Sequence, residues 1–138
     1  MKLNLSSLEK AIQQFEKSLS YFNSEEGKDE GLHEQFRAAV VQAFEYTFEL
    51  CWKFLKRYLE EETGDTTIDS YSKKELFRVG TEQGLLKNAE DWFDYLKARN
   101  ETVHTYDESN ADEVCRTAIK FLPDAKYLLS ELQRRIVV

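Results

Sequence analysis

Between Arg99 and Tyr106 the chain reads Arg-Asn-Glu-Thr-Val-His-Thr-Tyr, which gathers a guanidinium, a carboxamide, an imidazole and a phenol into eight residues. These groups handle phosphate. Arginine offers a planar fork of donors that grips a phosphate through two parallel hydrogen bonds. Histidine is the one side chain whose ordinary pKa lets it give or take a proton near neutral pH. Asn100 and His104 are four apart and share a face if the segment is helical, whereas Arg99 and His104 are five apart, about 140° around an ideal helix. The latter two converge only if the helix ends between them or the long arginine curls back. On spacing alone, an exposed His with an Arg nearby is more often a solvated surface. No Ser/His/Asp arrangement, phosphate-binding glycine loop or metal-ligand cluster competes with this segment, so neither a metal nor a cofactor is expected. The other histidine, His33, reads as a helix-start residue at an acidic loop edge.

A second constellation lies upstream. Glu45, Glu49 and Lys53 rise at intervals of four, next to Tyr46 and Trp52. One reading is a ladder of ion pairs along a helix, each contributing about 0.3–0.5 kcal/mol. The other is a cleft or partner surface, in which Glu45, Glu49 and Trp52 are substrate-binding candidates.

The elements that position these groups are helical. Leu8, Ile12, Phe15, Leu19 and Phe22 recur at steps of four and three, lining one helix face, with Ser6 and Glu9 spaced as a capping box at its start. Asn23 to Gly31 is polar and reads as a loop. From about His33 to Glu62 no breaker interrupts a run that includes Phe36, Val40, Phe44, Phe48, Cys51, Leu55 and Tyr58 at helical spacing. Some thirty residues span about 45 Å, more than one pass through a small domain needs, so this helix extends beyond its bundle or meets a partner. Gly64 is its expected stop. Ser72 and Glu75, flanked by Tyr71 and Leu76, form a cap and staple that start a short helix ending at Gly84. Asn88 introduces another short helix with Trp92, Phe93 and Leu96. Asp107 to Asn110 reads as a turn, after which Asn110 and Glu113 cap a last long helix through Leu132, bent at Pro123. Three long and two short helices without strand-like alternation predict an all-α antiparallel helical bundle, with residues 1–138 as one domain.

Composition agrees. Of 138 residues, 41% are hydrophobic and 33% charged, enough apolar side chain for a core, and 5 Gly with 1 Pro are too few for the turns of a β-rich fold. A net charge of −7 disfavours unaided binding to nucleic acid or anionic lipid. From Ser72 to His104 six Lys or Arg stand against six Asp or Glu, so no basic groove is legible. The start MKLNLSSLEK lacks a secretory apolar block and no stretch is apolar enough for a membrane span; the chain reads as soluble and cytoplasmic. Cys51 and Cys115 lack metal-site spacing and read as buried, reduced fillers.

FEYTFELCWKFLKRYLEEETG (Phe44 to Gly64), SYSKKELFRVGTEQGLL (Ser70 to Leu86) and WFDYLKARNETVHTYDE (Trp92 to Glu108) together resemble the nucleotidyltransferase substrate-binding protein family, part of the HEPN superfamily. The likeness runs over essentially the whole chain. It implies a helical bundle that dimerises and carries an R-x4-6-H motif. It further implies a partner, a minimal nucleotidyltransferase (MNT) encoded by an adjacent gene, in a toxin and antitoxin pair. Many such proteins are metal-independent endoribonucleases. In the HepT branch the motif reads R-x4-H-x-Y and the antitoxin silences the toxin by transferring AMP to the tyrosine. Arg99, His104 and Tyr106 match that pattern, and Asn100 matches the Asn that commonly follows the Arg. The resemblance therefore implies catalytic roles for Arg99 and His104, positioning of substrate by Asn100, and modification at Tyr106. An older description makes such a chain a noncatalytic substrate- or nucleotide-binding subunit of the same transferase.

Cutting RNA without metal needs a base for the 2′-hydroxyl, an acid for the leaving 5′-oxygen and cations for the phosphorane. The motif offers a single histidine. A homodimer that faces two His104 and two Arg99 across a common cleft supplies all of them.

Overall fold

The computed structural model describes residues 3 to 136, which among them form five α-helices and no strand. In chain order they are α1 (Ser6–Phe22), α2 (Glu30–Thr63), α3 (Lys73–Glu82), α4 (Ala89–Glu101) and α5 (Glu108–Ile136). Short 3-10 turns cover Glu26–Lys28, Thr66–Ser70 and Thr102–His104. The expected bundle of three long and two short helices is therefore the observed one. No described helix is long and apolar enough to cross a membrane.

Local chemistry sets most of the boundaries. The Ser72 hydroxyl accepts from the Glu75 amide at 3.2 Å, so Ser72 caps α3 as its sequence predicts; the Glu75 carboxylate accepts from that hydroxyl at 3.2 Å in place of the Ser72 amide, so the reciprocal half of the capping box does not form. The Asn88 side chain accepts from the amides of Glu90 and Asp91 to open α4. Gly64 closes α2 at φ 64°, donating its N–H to the Glu60 carbonyl; a side chain there would have to enter the left-handed region.

Two predicted caps are corrected. Ser6 is already helical, and its amide is held by the Asn4 side chain at 3.0 Å, so the Ser6–Glu9 box does not form. At the other end α5 begins at Glu108 rather than after Asn110. Asp107 takes the capping position, accepting from the Ser109 amide at 2.9 Å while its carbonyl accepts from Ala111. Starting earlier adds backbone hydrogen bonds that the predicted turn would leave unmade. The loop after α1 is also tighter than expected: α2 begins at Glu30, where the Asp29 side chain caps the amides of Gly31 and Leu32. His33 sits in this first turn, with Nδ1 3.0 Å from the Gly27 carbonyl and its ring against Phe22. α5 runs through Pro123 as one helix.

The core is aromatic. Phe121 of α5 lies within 5.0–6.0 Å, centroid to centroid, of Phe15, Phe44, Phe48, Trp92 and Tyr95, so one side chain ties α5 to α1, α2 and α4. Cys51 and Cys115 are both buried and unpaired, as fillers. This packing fixes α4 against the middle of α2 and thereby decides what Arg99 can reach. α2 holds 34 residues, about 51 Å at 1.5 Å per residue. Its buried residues begin only at Val40; Leu32, Ala38 and Ala39 before them are exposed or half-buried. The N-terminal third thus runs along the outside of the core.

Candidate active site

Arg99 occupies the last turn of α4, on the side facing α2. Its Nε donates to Glu49 Oε1 at 3.1 Å, one terminal nitrogen lies 3.5 Å from Glu45 Oε1, and the other donates to the Thr102 hydroxyl at 3.4 Å. That hydroxyl donates in turn to the Arg99 carbonyl at 2.7 Å, closing the end of the helix. Glu49 is shared: its second oxygen accepts from Trp52 Nε1 at 3.1 Å. The guanidinium is 25% exposed and keeps N–H groups on both terminal nitrogens for a further acceptor.

This arrangement replaces the ion-pair ladder. Neither Glu45 nor Glu49 pairs with Lys53, whose ammonium instead lies 5.7 Å from the Trp52 ring. The carboxylates turn to a guanidinium fifty residues away because a planar fork satisfies them better than a flexible ammonium on their own helix. The two carboxylates line a cleft, whereas Trp52, named with them from the sequence, does not. A groove of about 680 Å³ runs between α2 and the segment after α4, with Glu45, Tyr46, Glu49 and Lys53 on one wall and Thr102 and Thr105 on the other.

α4 ends at Glu101, between Arg99 and His104, as convergence would require, yet the two side chains do not touch. In a 3-10 turn residues three apart eclipse, so Thr102 and Thr105 share the groove side and His104 lies about 120° from each. His104 is exposed, with its ring 6.1 Å from that of Tyr106 in an edge-to-face arrangement. Tyr106 is 85% exposed. The backbone beneath is pinned: the His104 carbonyl accepts from the Asp107 amide at 3.1 Å and lies 3.5 Å from the Asn110 side-chain nitrogen, and the Thr105 hydroxyl donates to the Thr102 carbonyl at 3.0 Å. Asn100 is exposed on the final turn of α4. One side of the motif is thus anchored, and the other presents an imidazole and a phenol to solvent on a hydrogen-bonded turn.

Residues 3–134 match the family described as nucleotidyltransferase substrate binding protein like. The chain belongs to that family. Among curated members it is 30% identical over 138 residues to the probable ribonuclease HepT of Haemophilus influenzae, covering 97% of this chain and 94% of the relative. The solved structure of HI0074 from Haemophilus influenzae, described as the fold of a substrate binding domain of a nucleotidyltransferase, superposes with a TM-score of 0.89 at 28% identity over 94% of this chain and 99% of that one. A crystal structure of a Thermus thermophilus protein follows at TM-score 0.68 and 32% identity, covering 95% and 99%. The resemblance read from the motif and the long aromatic helix is therefore the chain's family.

Two features of this nucleotidyltransferase substrate-binding family member were not legible in its sequence. Thr102 and Thr105 face the groove, and Thr102 holds Arg99; both are ordinary hydroxyls within the motif's variable positions. Arg37 of α2 also lines the groove and is bound to Asp112 at 3.1 Å, joining α2 to the start of α5. A basic residue one turn before the first buried position of α2 was the available signal.

Proposed function

We propose that this chain is the HEPN-type partner of a minimal nucleotidyltransferase and acts as a metal-independent endoribonuclease, the toxin of a toxin and antitoxin pair. The observation that carries the reading is the exposed His104 imidazole on a turn whose backbone is pinned from both sides, one helical turn beyond the anchored Arg99. The probable ribonuclease HepT, similar over nearly the whole chain, supports it.

In this reading His104 takes the proton of the 2′-hydroxyl, the oxygen attacks phosphorus, and the 5′-oxygen leaves with a proton, giving a cyclic phosphate and a free 5′-hydroxyl. One imidazole cannot stand on both sides of the phosphorus. A homodimer that brings a second His104 opposite the first supplies the acid, and the remaining N–H groups of Arg99 and the carboxamide of Asn100 hold the phosphate oxygens. The outlying third of α2 offers length for such pairing. In this reading Tyr106 accepts AMP from the transferase, which its exposure beside His104 supports, and the added group would crowd the imidazole.

The engagement of Arg99 by Glu45 and Glu49 favours a second reading, a noncatalytic subunit that presents substrate or nucleotide to the transferase, because it commits the motif's cation within the fold. Incubation with RNA and EDTA separates the two. Cleavage by the wild type that His104→Ala lacks supports the nuclease; equal inactivity of both supports the subunit. Mass spectrometry after incubation with the transferase and ATP should find AMP on Tyr106, and an unmodified Tyr106 under active conditions removes that role.

A further inference from the structure

The chain carries seven more acidic than basic residues, yet four cations of α2 and α3 gather against two aromatic rings, one on α2 and one on α4. The Lys73 ammonium lies 4.6 Å from the centroid of the Trp52 ring, and Lys53 lies 5.7 Å from the same ring. One residue along α3, the Lys74 ammonium lies 5.5 Å from the Phe93 ring, and the Arg78 guanidinium lies 5.2 Å from it. Trp52 belongs to α2 and Phe93 to α4, and α3 packs against both helices, so the first turn of α3 bridges two cation-flanked rings. Lys53, Lys74 and Arg78 are exposed and Lys73 half-buried. Among the described residues none of the four pairs with a carboxylate.

Surface lysines in an acidic protein ordinarily find a carboxylate or wave in water. Here two nearby carboxylates are engaged elsewhere, Glu49 with Arg99 and Trp52 and Glu75 with the Ser72 cap, and Glu82, Glu90 and Asp94 on α3 and α4 pair with none of the four cations. The aromatic faces attract the cations and restrict their side chains, which lowers the entropy lost when a ligand takes them. Because the cations already cover the rings, the stripe offers fixed positive charge rather than a stacking platform. Such a surface selects a ligand by its charge spacing and not by its bases. The Trp52 indole also links the stripe through Glu49 to Arg99, so it leads to the motif.

We propose that Lys53, Lys73, Lys74 and Arg78, ordered by Trp52 and Phe93, form a sequence-independent track for the phosphate backbone of a single-stranded RNA whose scissile bond lies at Arg99 and His104. The placement of that bond rests on the ribonuclease reading above; the track itself does not.

The test is the anisotropy of a short fluorescein-labelled single-stranded RNA titrated with full-length His104→Ala protein, at several salt concentrations between about 50 and 200 mM. Replacing all four cations by Gln should weaken binding at least about tenfold and flatten the logarithmic salt slope by about 0.7 for each phosphate no longer neutralised, close to 3 in total. Lys74→Gln with Arg78→Gln, which leaves the Trp52 side intact, should flatten it by about half as much and keeps the test readable if the fourfold variant misfolds. Lys10→Gln with Lys17→Gln, the same charge change on α1, should leave the slope unchanged. Equal slopes for the wild-type stripe and its variants overturn the track, as does an equal loss on α1. Loss of nucleotidyltransferase co-purification with RNA binding intact also overturns it, assigning the stripe to an acidic protein. Wild-type cleavage in EDTA is scored separately. If it is absent while the stripe still sets the salt slope, the ribonuclease reading fails and the track stands; if it is present and indifferent to the four cations, the reverse holds.

Discussion

Glu49 should be much more costly to remove than Glu45, although nothing in the sequence context of the two distinguishes them. Its two oxygens accept from Arg99 Nε and Trp52 Nε1, each at 3.1 Å. A hydrogen bond to a charged group contributes about 1.5–3 kcal/mol when shielded from water. Glu49 is 28% exposed, so water recovers part of any loss and each bond is closer to about 1 kcal/mol. Glu49→Ala then costs about 2 kcal/mol, less a few tenths returned by the helix propensity of alanine. With a urea slope of about 2 kcal/mol/M, the unfolding midpoint should fall by about 1 M. Glu49→Gln keeps one accepting oxygen and should lose about half as much. Glu45, 42% exposed and 3.5 Å from Arg99, should cost less than about 0.5 kcal/mol when replaced by Ala. Urea unfolding followed by far-ultraviolet circular dichroism measures all three. An unchanged midpoint for Glu49→Ala, or a Glu45→Ala cost as large, would refute the view that Glu49 anchors the motif.

Two further outcomes follow from the core. Burial, and then the hydrogen bond to Asp124, push the Tyr95 phenol well above its usual range, so the folded state favours the protonated form. That contribution is fully present below the unfolded phenol value of about 10 and is lost as pH rises past it toward the folded value; melting temperatures should fall steeply in alkali for the wild type and less so for Tyr95→Phe. A β-carbon at Gly80 would stand 3.1 Å and 3.2 Å from the Leu55 methyls and 3.3 Å from a Leu86 methyl. Crowding of about 1 kcal/mol should then cancel the similar helix-propensity gain of Gly80→Ala, leaving stability nearly unchanged, whereas Gly80→Val should lose about 2 kcal/mol or more by thermal unfolding.

Where a boundary depends on residues within a turn of each other, the chain announces it: Ser72, Asn88 and Gly64 each do what their local chemistry predicts. The failures at Ser6 and Asn110 are also local. In each case an earlier residue, Asn4 or Asp107, accepts from an amide nearer the start of the chain, and the helix gains length by beginning there. The site is a different matter. Arg99, His104 and Tyr106 stand out by type and spacing, but the carboxylates that claim Arg99 lie fifty residues upstream, and only the packing of α4 on α2 around Phe121 brings them near. The cationic stripe was hidden for the same reason. A count along the chain from Ser72 to His104 balances to zero, while the fold sets Lys73 beside Trp52 and Lys53 of α2, and Lys74 and Arg78 beside Phe93 of α4.

The proposed chemistry turns on proton transfer by His104 at a phosphodiester, and the direct measurement is the single-turnover rate of cleavage of a defined RNA in EDTA, with the product ends identified by mass spectrometry. Wild type should cut and leave a cyclic phosphate, and His104→Ala, a substitution at an exposed position, should be slower by about 10²–10⁴ with an unchanged circular dichroism spectrum. Equal rates for the two proteins, or hydrolysis without a cyclic phosphate, would contradict it.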